Sequence, residues 1–476
     1  MSTPVKYYDA DSTTRYMKMT ESVDGDIRHS IIDSLPAITL SGGTTVEISA
    51  MPDVYIGGFV APIEVDKLPA QHIDAFSRLR VSDPAYRFDS QFTYMIDSDL
   101  WDQKQTGTAS ATHDATNRMV TLSAAAGAGP NEYILQSHYH SPYTAGRGAF
   151  AVVTFCFGPT PEAGGEREAG YTDGDNGIYV LQTSTGISLG LRTTTAADDE
   201  LIPQDEWNID PFDGSGPSGL IFDPEATQIL ASPLQALYVG LAVAGFDIDG
   251  NFYPAHQFKH ANVFSKPYIA QASLPVRYRV KATGTAAPVT MDCICSSVMS
   301  EGGQNLQDIP GRTFVASNKL TFRSVNGGGG NPGVTKYPVL AIECVEKLNN
   351  IKQNAVVIPI ELEMSLVNTP GWVDVILRPT TLTAGGVEPT WTTPESGSTV
   401  RYTVNADALT GGTVVGGFYV PAAANTRASK GTATLDKVGM CYSHLLGKGD
   451  QLVLAVSTAT NANGTAGGTI LWKEIR

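Results

Sequence analysis

The sequence predicts an all-β protein: a jelly-roll-like (alternatively concanavalin-like) β-sandwich, then a second, smaller antiparallel β-sandwich, with an extended N-terminal arm. Three observations lead there. Short apolar runs with strand-like alternation recur along most of the 476 residues. Asp-Gly and Asn-Gly pairs, which supply the positive φ that tight hairpin turns need, separate many of them. Charged residues make up only 17%, against a usual share of about 25%, while glycine reaches 48 and long Ala/Glu/Lys/Leu runs are missing.

Taken in order, residues 1–75 mix polar stretches with short apolar pieces and carry Pro36, Pro52, Pro62 and Pro69. They read as an assembly or anchoring arm. From Asp74 the texture changes. Strands are predicted at Phe88 to Ile96, Met119 to Leu122, Tyr133 to Tyr139, Ala149 to Phe157, Gly177 to Gln182 and Ile187 to Arg192. Others follow at Ala236 to Ile248, Val276 to Ala282 and Val289 to Val298, and Ile248-Asp249-Gly250-Asn251-Phe252 is the clearest hairpin. This first sandwich is assigned to 76–302. Glycine-rich runs at Ser300 to Gly303 and Asn326 to Gly333 bracket the boundary, and the second sandwich is assigned to 303–476. Its strands are read at Pro338 to Cys344, Ala355 to Leu366, Val373 to Leu377, Val400 to Val404, Thr413 to Val420, Gly439 to Ser443, Gln451 to Ser457 and Gly468 to Trp472. One short helix is a candidate near Glu343 to Ile351, without a convincing amphipathic stripe.

The net charge is −16, which argues against a nucleic-acid partner, whose phosphates demand Lys and Arg, and against an anionic membrane surface. No apolar run approaches the roughly 18 residues of a membrane span. The first nine residues show no charged segment leading into an apolar one, so no secretory signal is expected. Cys156, Cys293, Cys295, Cys344 and Cys441 sit mostly in apolar runs and read as buried free thiols.

Candidate sites are few. His138-Tyr139-His140 resembles half of a metal site, but no third ligand is evident, and a hydrogen-bonded pair is the expected reading. His256 and His260 read as structural. Asp173-Gly174-Asp175-Asn176-Gly177 lacks the distal bidentate carboxylate of a calcium loop and reads as a turn. Gly186-Ile187-Ser188-Leu189-Gly190 fits the nucleophile-elbow pattern, yet it lies in an alternating strand with no helix after it. Glu206, Asp210 and Asp213 are the carboxylates a glycan-cleaving enzyme would pair, although turn carboxylates are the expected reading. Trp207, Asn208, Asp210 and Phe212, with Tyr171 nearby, make either a sugar-stacking platform or a loop anchor, the anchor being favoured. No catalytic residue, metal or cofactor is expected, and the protein reads as no enzyme.

Several blocks occur in a recognisable order. They begin with Asp74-Ala75-Phe76-Ser77-Arg78-Leu79-Arg80-Val81-Ser82 and Phe88-Asp89-Ser90-Gln91, and continue through Tyr143-Thr144-Ala145-Gly146-Arg147. Trp207-Asn208-Ile209-Asp210-Pro211-Phe212-Asp213-Gly214-Ser215-Gly216-Pro217, Ser273-Leu274-Pro275-Val276-Arg277-Tyr278 and Gly411-Gly412-Thr413-Val414-Val415 follow. In this the chain resembles a widespread, poorly described family of tailed-bacteriophage virion proteins. It departs where Ser77 replaces a usual glycine and where Gly158 to Ala169 is longer and more acidic. The resemblance implies a structural role in the virion, at the tail, baseplate, neck or fibres, after assembly in a host cytoplasm. Its partners would be other virion proteins and copies of itself, in a trimer or ring. The competing expectation is a lectin-like, receptor-binding module that contacts host surface polysaccharide.

Overall fold

The computed structural model describes residues 84–476, apart from 196–198, 236, 303–308, 319–322, 326–333, 396, 422–428, 436–437 and 461, and four short strands nearer the start. The chain divides into two units, Met1–Ile63 and Glu64–Arg476. In the first, Val5–Tyr8 pairs with Thr14–Met17 and Ile38–Thr39 with Thr45–Val46, all antiparallel. Most of the segment read as an arm, and the 74–82 block, lie outside the described residues.

The second unit is built of antiparallel sheets, and no α-helix occurs among the described residues. Two large sheets form the first sandwich. One runs in the order Asn251–Phe258, Ala242–Ile248, Gln228–Leu234, Ala149–Cys156, Val289–Ser300, Met119–Ala124, Ala109–Asp114, with Ala85–Gln91 also paired to Val289–Ser300. The other runs Glu200–Pro203, Gly186–Arg192, Gly177–Thr183, Gly165–Thr172, Val276–Ala282, Asn131–Ser137, Trp101–Thr106. Alternation decides which side chains enter: along Ala149–Cys156 every second residue is buried, and Val276–Ala282 repeats the pattern. The inward faces share one core. At its centre Trp101 lies 5.5 Å from Phe88, 5.2 Å from Phe92 and 5.8 Å from Tyr278, ring to ring. Its indole N–H donates to Ser90 Oγ at 2.7 Å, which satisfies the buried donor.

The second sandwich has two five-stranded sheets. One is ordered Arg312–Ser317, Gly464–Ile475, Val356–Val367, Ser429–Thr434, with Arg323–Val325 added to Gly464–Ile475; the other is ordered Val400–Thr403, Tyr337–Cys344, Gln451–Thr458, Gly371–Leu377, Thr413–Val420. Their core gathers around the fully buried Trp472, with Leu362, Leu454 and Ile470.

The candidate helix near Glu343 to Ile351 is a strand end and a tight hairpin instead. Lys347–Leu348 pairs with Ile351–Lys352. Asn349 and Asn350 between them adopt φ of 51° and 65°, the two successive left-handed residues of a two-residue hairpin turn, where asparagine is tolerated. The strand expected from Ala236 begins only at Ala242, because Leu237 and Tyr238 hold φ of 42° and 60°, outside the extended region.

One charged assembly belongs to the fold. Glu168 is fully buried on Gly165–Thr172, yet it accepts from Arg192 Nη1 and Nη2 at 3.0 and 2.8 Å and from Arg279 Nε at 3.2 Å. Arg279 also reaches Glu132 and Glu166. Burial alone would raise the Glu168 pKa; Arg279, Arg192 and Arg277 overcome this and hold it at about 2.

Candidate functional site

The segment from Trp207 to Phe212 was the main sequence candidate for sugar contact, and the structure turns its aromatic faces inward. Trp207 is 5% exposed and Phe212 is fully buried. Both pack on Phe246, at ring separations of 6.1 and 5.4 Å. The Trp207 N–H donates to the Ile202 carbonyl at 3.1 Å. Asn208 clasps the strand beside it: its amide N–H donates to the Gln257 carbonyl at 2.9 Å, and its Oδ1 accepts from the Gln257 N–H at 2.9 Å. Asp210 is buried and accepts from the Phe212 and Ser218 N–H groups, one oxygen each. A Cβ on Gly216 would lie 2.1 Å from that carboxylate, so the turn closes only around glycine. Stacking on a sugar requires an open ring face, and neither ring offers one. Glu206 and Asp213 are exposed, and Asp213 is occupied by Ser215. Tyr171 lies in the sandwich core and accepts from the Leu274 N–H at 3.4 Å.

The other motifs also have structural partners. Ser188 sits within the strand Gly186–Arg192, between Leu181 and Pro203 of its neighbours, and not on a sharp turn. Asp173 Oδ1 accepts from the Asp175 and Asn176 N–H groups, capping a hairpin turn. His256 Nδ1 accepts from the Asn208 N–H. His260 lies between the Gly240 carbonyl and Glu200, stacked on Tyr268 at 3.9 Å. All five cysteines are free thiols; Cys293, Cys344 and Cys441 are buried, Cys156 and Cys295 partly so.

His138 and His140 part company. Both follow the strand Asn131–Ser137 and both are buried. Neither ring nitrogen of His140 has a hydrogen-bond partner, and burial, with His444 and His138 adding to it, pushes its pKa down to about 3. It is therefore neutral. His138 instead joins the two sandwiches. Its Nδ1 lies 2.7 Å from Asp102 Oδ1 in the first, and its Nε2 lies 2.8 Å from Asp450 Oδ2 in the second. Around this bridge the network closes. Ser443 Oγ donates to Asp102 Oδ2 at 2.5 Å. Arg378 Nε donates to Asp450 Oδ1 at 2.7 Å, and the Cys441 N–H to Asp450 Oδ2 at 3.0 Å. The Cys441 thiol lies 3.1 Å from the His138 carbonyl.

Electrostatics follow from the contacts. Burial opposes a charge on His138, but the Cys441 sulfur, Asp102 and Asp450 outweigh it and raise its pKa far above the usual imidazole value. Burial likewise opposes charge on Asp450, and His138 and Arg378 bring its pKa below the usual carboxylate range. The node is thus an imidazolium between two carboxylates, with a guanidinium beside the second. A cleft of about 570 Å³ opens next to it, lined in part by Trp101, Asp102, His138, Arg378 and Asp450.

No protein-family model matches the sequence, and no curated protein matches it. The likeness to phage virion proteins therefore rests on the residue blocks alone. Among solved structures, the carbohydrate recognition domain of Emp47p aligns at 8% identity and a TM-score of 0.30, covering 45% of this chain and 96% of that one. A glycoside hydrolase family protein from Mycobacterium thermorestibile aligns at 11% and 0.31, covering 44% and 99%. A carbohydrate esterase from the Shiga toxin-encoding bacteriophage phi24B aligns at 15% and 0.30, covering 46% and 99%. Each match spans under half of this chain, and likeness this slight carries no chemistry across.

Proposed function

We propose that this chain is a structural component of a tailed-phage virion and works through protein–protein assembly. The ordered sequence blocks suggest the setting. The observation that carries the reading is the buried charged node, which ties two β-sandwiches together where domains within one chain are usually free to move. A body that transmits force between neighbours needs such a joint. The test is electron microscopy of parent particles labelled with an antibody against residues 303–476, beside mass spectrometry of the same particles. Label at a fixed, symmetric position on the tail, baseplate or neck is expected. Particles that lack the protein altogether would refute the reading.

A second reading, receptor binding through host polysaccharide, is favoured by one surface feature away from the Trp207 loop. Trp372 and Tyr419 are cross-strand neighbours, 55% and 44% exposed, with ring centroids 5.0 Å apart. Open aromatic faces of this kind suit stacking on a sugar ring. Under this reading label gathers at distal fibre tips, and Trp372→Ala abolishes polysaccharide binding while the unfolding midpoint stays put. Unchanged binding would remove the site.

A further inference from the structure

We propose that His138, Cys441 and Asp450 form a binding site for one zinc-class divalent transition-metal ion at the junction of the two sandwiches. This goes beyond the virion reading and does not depend on it. Three ligand atoms of three chemistries (imidazole nitrogen, thiol sulfur, carboxylate oxygen) lie within 4.8 Å of one another, and all three residues are buried. Nitrogen, sulfur and oxygen donors in this combination suit zinc, which takes four tetrahedral ligands at about 2.0–2.3 Å. Tetrahedral contacts of that length put ligands about 3.3–3.8 Å apart. The 2.8 Å between His138 Nε2 and Asp450 Oδ2 therefore needs to widen by less than the length of a bond.

What separates this cluster from an ordinary buried ion pair is the arrangement behind the histidine. A metal-ligating histidine characteristically donates its other ring N–H to a carboxylate, which fixes the tautomer and aims the free nitrogen at the ion. His138 has that geometry: Nδ1 faces Asp102 at 2.7 Å, and Asp102 is itself held by Ser443. Nε2 is thereby aimed at the space it shares with Asp450 and Cys441. The adjoining cleft, lined by His138 and Asp450, offers a route of entry and room for water as the fourth ligand.

The experiment uses the full chain, reduced and stripped by chelator, titrated with Co²⁺ and then Zn²⁺. One Co²⁺ per chain is expected, with an intense near-ultraviolet thiolate-to-cobalt absorption that Zn²⁺ abolishes by displacement. Cys441→Ser should lose that absorption. Asp102→Asn should keep it and bind about 10–100-fold more weakly, the usual effect of removing a carboxylate behind a ligating histidine. Failure of folded wild-type protein to take up Co²⁺ or Zn²⁺ stoichiometrically overturns the proposal, whatever the variants do. So does a thiolate band that survives in Cys441→Ser, since the sulfur would then come from another cysteine.

Discussion

Replacing Asp450 by Ala removes the acceptor shared by His138 Nε2, Arg378 Nε and the Cys441 N–H. Asp450 is only 4% exposed, so water does not readily take its place. Removing one member of a buried pair leaves the other charge uncompensated, at roughly 3–5 kcal/mol. The two sandwiches unfold together as part of Glu64–Arg476, and for a unit of that length each kcal/mol moves the melting temperature by only about 1 °C, so a fall of about 3–6 °C is expected. The assay is calorimetry in chelator, so that no metal contributes. The shape of the trace matters as much as its midpoint, because the lost contact joins two sandwiches. The wild type should unfold in one coupled transition, and Asp450→Ala should show two. Asp450→Asn should cost less than Ala. With the charge gone, His138 sheds its Nε2 proton and accepts from the Asn amide, while Arg378 keeps its contact with Asp99. A loss under about 1 kcal/mol in Asp450→Ala, the range of an exposed pair, would refute the claim that this node binds the sandwiches together.

Two further outcomes test other parts of the structure. Trp207→Ala empties the space beside Phe212 and Phe246 and should cost about 3–5 kcal/mol by chemical denaturation; near-wild-type stability would mean that the ring is not packed as described. Glu168 has its pKa lowered from 4.5 to about 2 in the folded protein. Its contribution is therefore complete above about pH 4.5 and lost as pH falls toward 2. Glu168→Gln should flatten the stability–pH curve in that window, and an unchanged slope would show that other carboxylates set acid stability.

Much of the fold was legible because period-two burial leaves its mark on sequence wherever one face of a strand is apolar. Val276–Ala282 and Thr413–Val420 are found with the bounds the alternation indicates. Some of the strands that escaped notice carry too little apolar contrast. Trp101–Thr106 reads WDQKQT, with its last four residues exposed, and Ala109–Asp114 reads ASATHD. They lie at the ends of the two large sheets, where only one neighbour pairs with them. Gly165–Thr172 escaped for another reason. Its Glu166 and Glu168 suggested a solvated acidic loop, but their charges are met by Arg279 and Lys281 from the adjacent strand Val276–Ala282 and by Arg192 from the next strand but one.

The node was half legible, and the missing half shows what sequence spacing cannot supply. His138-Tyr139-His140 drew attention as a pair of imidazoles on one strand, with the third ligand lacking. A strand's alternation does place two such rings near each other, but local spacing says nothing about what the facing domain brings. Here that domain brings Asp450, 312 residues away, and Cys441, 303 residues away. It also breaks the pair: His138 gains two carboxylates and keeps its proton, while His140 gains none and stays neutral. Two residues apart in sequence, the rings differ because His138 is held between two carboxylates, whereas His140 lies against the His444 ring with no carboxylate in hydrogen-bond contact. A buried histidine's role is thus set by the carboxylates the fold brings to it, and the test of this one is whether a metal ion can take the place of its proton.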